Sequence, residues 1–255
     1  MRVRCIRTEV PNPVKELKLS GWGVCRYLTV GAEYEVYAIK FSGIPSYLLN
    51  LDSEQKVYYF LACFFDLIDS SKPPFWIASP EYEGPVELSG PYVYEDLFDG
   101  EPEAVSALRR IRTIYEDRDL FEFINREDYN GILNNHSDDV NAVIDDSICG
   151  VSDLIEAIYH GTGNTYMEQT WDGLSEALES FAWITDRTIR IVHVGIPALE
   201  EKDLFTYFSI LRDACKEWKS PRGREQAGYL NIDVHICFLK EFRTNLEDIF
   251  YKFYV

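Results

Sequence analysis

The sequence predicts an α+β chain in two parts. A β-rich module over residues 1–117 ends in a helix, and an α/β module over 118–255 carries a three-stranded parallel sheet packed by helices. Three observations carry this expectation. Runs of β-branched and aromatic residues separated by turn residues crowd the first half. Between residues 140 and 239, short apolar strand-like runs alternate with stretches of helical period, as in a parallel sheet covered by helices. Between these regions, residues 117–140 are polar and weakly periodic, which marks a boundary. A chain of 255 residues, 46% hydrophobic and 15% aromatic, has the composition of a globular protein with room for two cores.

In the first module, "GVCRYLTV" (23–30) and "EYEVYAIKF" (33–41) flank Gly31-Ala32 and predict a hairpin. The apolar run "KVYYFLACFFDLI" (56–68) suits a single strand buried on both faces, with a buried helix as the alternative that periodicity leaves open. Residues 69–91 hold enough Pro and Gly to read as loops with short strands. "DGEPEAVSALRRIRTIYED" (99–117) predicts a helix capped by Asp99, with Pro102 in its first turn and Ala104, Leu108, Ile111 and Tyr115 as its apolar stripe. These elements suggest a small barrel or curved sheet carrying a C-terminal helix.

The second module begins with a strand at "NAVIDDSI" (141–148) and a helix at "GVSDLIEAIYH" (150–160), with Ser152 as its cap. A helix over 164–181 follows, then a buried strand at "RTIRIVHVGIP" (187–197). A long amphipathic helix over 200–219 and a strand at "YLNIDVHICFL" (229–239) complete the alternation. The tail 240–255 supplies one further packed element.

Charge narrows the function. The formal net charge is −18, so the chain repels nucleic acid and anionic membranes and attracts basic partners. The acidity is concentrated. No Lys or Arg occurs from Glu127 to Asp186, where thirteen Asp and Glu fall, and a second basic-free stretch from Pro73 to Leu108 holds eight. The first eighteen residues and "KEWKSPRGR" (216–224) are basic by contrast. The six cysteines are scattered without a CxxC pair, which points to small buried hydrophobes rather than a disulfide framework or zinc site. "MRVRCIRTEVPNP" lacks the apolar core of a signal peptide, and no apolar run reaches membrane-spanning length. The expectation is a soluble protein in a reducing, cytoplasmic setting, with no cofactor and no metal.

The stretch "NTYMEQTWDGLSEALESF" (164–181) concentrates the signal. Trp171, Leu174, Leu178 and Phe181 form a narrow stripe for the core. Glu168, Asp172, Glu176 and Glu179 recur at spacings of four, four and three, so they stack on an exposed side. Like charges four apart oppose helix formation by a few tenths of a kcal/mol per pair. A solvated face is the plain explanation of such a column. A hydrolase using Asp172 and Glu176 as paired carboxylates is a second, and an acidic adaptor that mimics nucleic acid is a third. Against catalysis, His193 and His235 lie inside strand patterns and read as core residues, while His136 and His160 lie in a loop and at a helix end. "GTGNT" (161–165) lacks the lysine and helix of a phosphate loop.

The stretch "AVIDDSICGVSDLIEAI…YMEQTWDGLSEALESF" resembles the barstar family, intracellular inhibitors of secreted ribonucleases. In that family a strand leads into an "SDL" helix, then a loop and a helix of pattern "LDALWDCL"; here "VIDD", "VSDL", "YMEQT" and "WDGLSEAL" stand in those places. The likeness continues through "IRIVHV", "FSILRDACKEW" and "NIDVHIC", covering about residues 140–239. It implies a non-enzymatic immunity protein or antitoxin whose acidic helix and preceding loop plug the active site of a basic ribonuclease or other nuclease toxin. Tyr166 matches the loop tyrosine that packs on the enzyme, and Asp172 and Glu176 match the two helix aspartates. Asp213 falls where a later acidic residue makes contact, and Glu179 extends the same acidic face. Glu168 and Thr170 replace the family's Gly and Asn, and Ser175 replaces a contact tryptophan, so the resemblance implies a target other than the family's usual one. "YEDLFDGEPEA" with the helix after it is similar to modules of bacterial immunity proteins.

Overall fold

The apolar run at 56–68 falls in two strands rather than one, and that break shapes the first part of the molecule. In the computed structural model, which describes residues 1–11, 25–51, 56–134, 140–165, 168–181, 184 and 187–255, strand β4 (Lys56–Leu61) is followed by a single 3-10 turn at Ala62–Phe64 and then by β5 (Phe65–Asp69). With β1 (Arg2–Cys5), β2 (Glu33–Lys40) and β3 (Ser46–Leu51), they form an antiparallel sheet in the order β4-β3-β2-β1-β5. The chain from Leu61 to Phe65 reaches at most about 14 Å, whereas the edges of a flat five-stranded sheet stand about 19 Å apart. The sheet is therefore curled, bringing its edges together, and the ring of Tyr47 on β3 meets that of Phe65 on β5 at 5.9 Å. Val3, Val36, Leu49, Phe60 and Phe64 fill the inside of the curl. Two short strands, β6 (Trp76–Ala78) and β7 (Tyr82–Pro85), add to the sheet where β7 pairs alongside Ile39 and Lys40, the last residues of β2.

The hairpin expected at 23–41 is not formed by its described residues. Residues 25–30 make turns, with the Cys25 N–H donating to the Thr8 carbonyl and the Gly31 N–H to the Cys5 carbonyl. The first part of β2 is paired instead by β1, whose Val3 and Cys5 alternate into the core. Residues 23 and 24 lie outside the described residues. Helix α1 (Val93–Asp99) ends at Gly100, whose φ of 77° is the left-handed helix stop, and α2 (Pro102–Arg118) follows. Asp99 thus closes α1 instead of capping α2. Ala104, Leu108, Ile111 and Tyr115 are buried along α2 as their spacing requires.

The chain divides into two compact units, residues 1–114 with 254–255 and residues 115–253. The second unit is built on a parallel sheet of four strands, not three: β8 (Glu122–Ile124), β9 (Val140–Ile144), β10 (Thr188–His193) and β11 (Asp233–Leu239), in the order β8-β11-β10-β9. The added strand arises because Phe121 packs against Phe238 and Phe250, which draws Glu122–Ile124 alongside Cys237–Leu239. Helix α3 (Arg126–Asn134) follows, started where the Asp128 carboxylate accepts the Asn125 N–H at 3.3 Å.

Helices α4 (Val151–Gly161) and α5 (Trp171–Ser180) connect β9 to β10, and α6 (Glu201–Lys219) and α7 (Pro221–Leu230) connect β10 to β11. The cap of α4 is Gly150 in extended conformation; Ser152 already lies within the helix, because the Leu154 N–H bonds the Gly150 carbonyl. Helix α7 takes Tyr229 and Leu230 from the expected strand, so β11 begins only at Asp233. Helix α8 (Arg243–Tyr254) is the packed element expected in the tail. Ile191, Phe208, Leu211, Phe238 and Leu246 lie in the core between sheet and helices. Among the described residues no helix is long and apolar enough to cross a membrane.

Candidate functional site

Helix α5 is held rigidly at both ends and along its inner face. At its start Thr170 is extended, and its hydroxyl accepts the Gly173 N–H at 3.1 Å. The loop before it folds tightly onto this turn: the Thr170 N–H bonds the Glu168 carbonyl at 2.8 Å, and the Tyr159 hydroxyl donates to that same carbonyl at 3.3 Å. Gly173 makes room for this loop, since a Cβ there would stand 2.9 Å from the Glu168 carbonyl oxygen.

Along the inner face, Leu174, Leu178 and Phe181 are buried, and Trp171 stacks on Tyr207 of α6 with ring centroids 6.4 Å apart. At its end the carbonyls that no helical N–H can reach are bonded from outside. The Trp218 indole N–H donates to the Leu178 carbonyl at 2.8 Å, and the Gln226 side chain donates to that of Ser180 at 2.9 Å. The contacts of Trp171 with Tyr207 and of Leu178 with Trp218 run α5 and α6 side by side in one direction.

The outer face is acidic. Glu168, Asp172, Glu176 and Glu179 are all exposed. The helix begins at Trp171, so Glu168 precedes it in the loop and the helical column comprises Asp172, Glu176 and Glu179 alone. Among the described residues the carboxylates of Glu168, Asp172 and Glu176 form no hydrogen bond or ion pair. Glu179 accepts the Ser175 hydroxyl at 3.1 Å. Asp172, in the first turn, interacts favourably with the helix dipole, whereas Glu179, in the last turn, opposes it.

Glu168 and Glu176 meet at a cleft of about 320 Å³ between α4 and α5, whose other walls include Tyr159, Asn164 and Ser180. Burial, with the charges of Glu168 and Glu176 beside it, pushes the Tyr159 phenol above its ordinary value, so its hydroxyl stays a hydrogen-bond donor. The cleft thus offers two carboxylates beside a fixed aromatic group. Such a surface can take the guanidinium or ammonium of a basic side chain by charge-assisted hydrogen bonds. Sequence spacing pointed to the carboxylates but not to the cleft, because Tyr159 and Asn164 enter from the preceding helix and loop.

The remaining expected site residues are distributed differently. Tyr166 lies outside the described residues, as does His136. Asp213, on α6, is exposed but held by the Arg212 guanidinium in two bonds of 2.8 and 3.1 Å, and it is not part of the cleft wall. His193 is buried as expected. His235 is not a core residue: it is partly exposed, with a carboxylate at each ring nitrogen. Comparison with protein-family models, curated proteins and solved structures finds no match for this chain.

Proposed function

We propose that the chain is a barstar-like inhibitor that binds and blocks the basic active site of a nuclease through the acidic face of α5 and the loop before it. The observation that carries this reading is the set of exposed carboxylates of Asp172 and Glu176, on a helix whose inner face and ends are locked, and of Glu168 in the loop before it, all unpaired among the described residues. A nuclease active site gathers Lys, Arg and His to hold phosphate. A rigid row of carboxylates satisfies those groups as the phosphates would, with little conformational entropy left to lose. Repulsion between Asp172 and Glu176, four residues apart, weakens in the complex and adds to the preference for the bound state. The absence of Lys and Arg from Glu127 to Asp186 extends the negative field around this face and steers a cationic partner toward it.

The order strand, helix, loop, acidic helix, strand, helix over residues 140–219, closed by a strand at Asp233–Leu239, also supports the reading, since the resemblance in sequence implies those elements; helix α7 is an addition to that order. The test is an inhibition titration. A panel of basic secreted ribonucleases and deoxyribonucleases, including any nuclease encoded beside this gene, is assayed on RNA and DNA with the full chain added. The chain is expected to stop one of them at one equivalent and to cleave neither substrate itself. Cleavage of RNA, DNA or a glycoside by the chain alone, or no inhibition at micromolar concentration, would overturn the proposal.

A further inference from the structure

The basic stretch 216–224 plays no part in the acidic face, and it builds the wall of a second cleft. Helix α6 ends at Lys219, and α7 starts two residues later at Pro221. The elbow is fixed by the Ser220 hydroxyl, which accepts the Gly223 N–H at 2.9 Å, and by the approach of Gly223 to α6. A Cβ at Gly223 would stand 2.0 Å from the Glu217 carbonyl oxygen, so only glycine permits the bend. The bend carries Arg224 and Ala227 over a cleft of about 320 Å³, opposite the first residues of β8 and β11.

Trp218, Ile232 and Cys215, all buried, give this cleft an apolar floor. Lys219 and Arg224 are exposed at its edge. Lys219 gives one of its three protons to the Leu120 carbonyl at 2.7 Å. Arg224 has no ion-pair or hydrogen-bond partner for its side chain among the described residues. Across from them, Glu122 and Asp233 would repel an anion, but His235 lies between them. Its Nδ1 is 2.6 Å from Glu122 Oε1 and its Nε2 is 2.8 Å from Asp233 Oδ2. With an acceptor at each nitrogen the ring is an imidazolium donating both protons. That wall then carries one net negative charge against the two cations facing it.

We propose that this cleft binds a small amphiphilic anion, with an apolar body lying on Trp218 and Ile232 and a carboxylate or phosphate head held by Lys219 and Arg224. An apolar pocket of a few hundred Å³ with few convergent charges is the general form of a small-molecule site. The guanidinium fork of Arg224 matches the paired oxygens of either head group. An inorganic ion would leave the apolar floor unused.

His235 makes the site dependent on pH. The groups facing it are Glu122 on β8, Asp233 and Cys237 on β11, Arg190 in register with it on β10, Lys219 and Cys215 on α6, and Arg224 on α7. Hydrogen bonding to Glu122, reinforced by Asp233, holds the imidazole pKa above its ordinary value. Loss of that proton as pH rises adds a negative charge to the cleft and weakens anion binding.

The fluorescent probe anilinonaphthalene sulfonate, an apolar body with an anionic head, tests the site on the full-length chain. At mildly acidic pH its emission is expected to rise and saturate at one equivalent, and its affinity to fall as pH rises through the His235 titration. Octanoate and octyl phosphate displace it, the stronger competitor identifying the natural head group, whereas octanol and inorganic phosphate do not. The double variant Lys219→Gln, Arg224→Gln weakens binding by about tenfold or more. Ala227→Trp, which fills the cleft and keeps both charges, blocks it, with folding of each variant checked by thermal unfolding. Emission that does not saturate, equal affinity in folded Ala227→Trp, or equal displacement by octanol would overturn the proposal.

Discussion

His193, at the end of β10, has both ring nitrogens engaged in the core. Nε2 lies 2.7 Å from the Tyr207 hydroxyl and Nδ1 lies 3.2 Å from the Cys237 carbonyl. A carbonyl only accepts, so Nδ1 carries the proton and Nε2 accepts from the tyrosine. Burial pushes the imidazole pKa down to about 3, against about 6.5 in an unfolded chain. The unfolded chain therefore binds the extra proton first, and stability falls as pH drops through the window from about 6.5 to 3, by up to about 1.4 kcal/mol per pH unit. Denaturant midpoints measured between pH 7 and pH 4 are expected to fall, with no NMR titration of the His193 ring; a ring that titrates near 6.5 would contradict this. A second residue-scale prediction concerns Arg118, fully buried, whose Nη1 bonds Glu247 Oε1 at 2.6 Å. Burial pushes the Glu247 pKa up, and the adjacent guanidinium counters it. Arg118→Met strands a buried carboxylate and is expected to cost about 3–5 kcal/mol in urea unfolding. Adding Glu247→Leu recovers most of that loss, whereas equal losses in the single and double variants would show that the ion pair is not the cause.

At the scale of elements, the edge strand β8 is three residues long and among the described residues pairs only with β11, and Glu122 ties it there through His235. The Glu122 pKa is lowered, chiefly by its hydrogen bond to His235, and that of His235 is raised, chiefly by Glu122. The carboxylate's contribution is lost as pH falls through its lowered pKa, and the imidazolium's as pH rises through its raised one. The tie is strongest between the ordinary values of the two groups, about 4.5 and 6.5. Hydrogen-exchange protection at Phe123 and Ile124, corrected for intrinsic rate, should drop above that window while β10 is unchanged; equal protection of both strands would refute the tie. Sequence periodicity read local elements well: α6 was expected over 200–219 and spans Glu201–Lys219, because its apolar stripe repeats for five turns. It failed where pairing is non-local. Nothing near residues 25–30 announces that Arg2–Cys5 takes the place beside β2. Helix α7 is legible in Ser220-Pro221, a cap followed by proline at the first helical position, although the basic charge of that stretch is its more prominent feature. Asp172, Glu176 and Glu179 were legible as exposed carboxylates, whereas the cleft joining Glu176 to Glu168 depends on Tyr159 and could not be read from spacing.

At the scale of the whole molecule, a net charge of −18 destabilises the compact state by self-repulsion, yet it concentrates negative potential for a cationic partner. If α5 is the binding face, its charge serves association rather than folding, so neutralising it should separate the two properties. Association with a basic nuclease should also slow steeply as salt shortens the screening length from about 30 Å at 0.01 M to about 8 Å at 0.15 M. The most direct test is calorimetric titration of the inhibited nuclease with the native chain and with the Asp172→Ala, Glu176→Ala double variant, alongside thermal unfolding of both. The variant is expected to unfold at about the same temperature, because losing the repelling pair offsets losing the favourable contact of Asp172 with the helix dipole, and to bind at least about a hundredfold more weakly, since two charge-assisted contacts at about 1.5–3 kcal/mol each are removed. Equal affinity of the two proteins for the nuclease would contradict it.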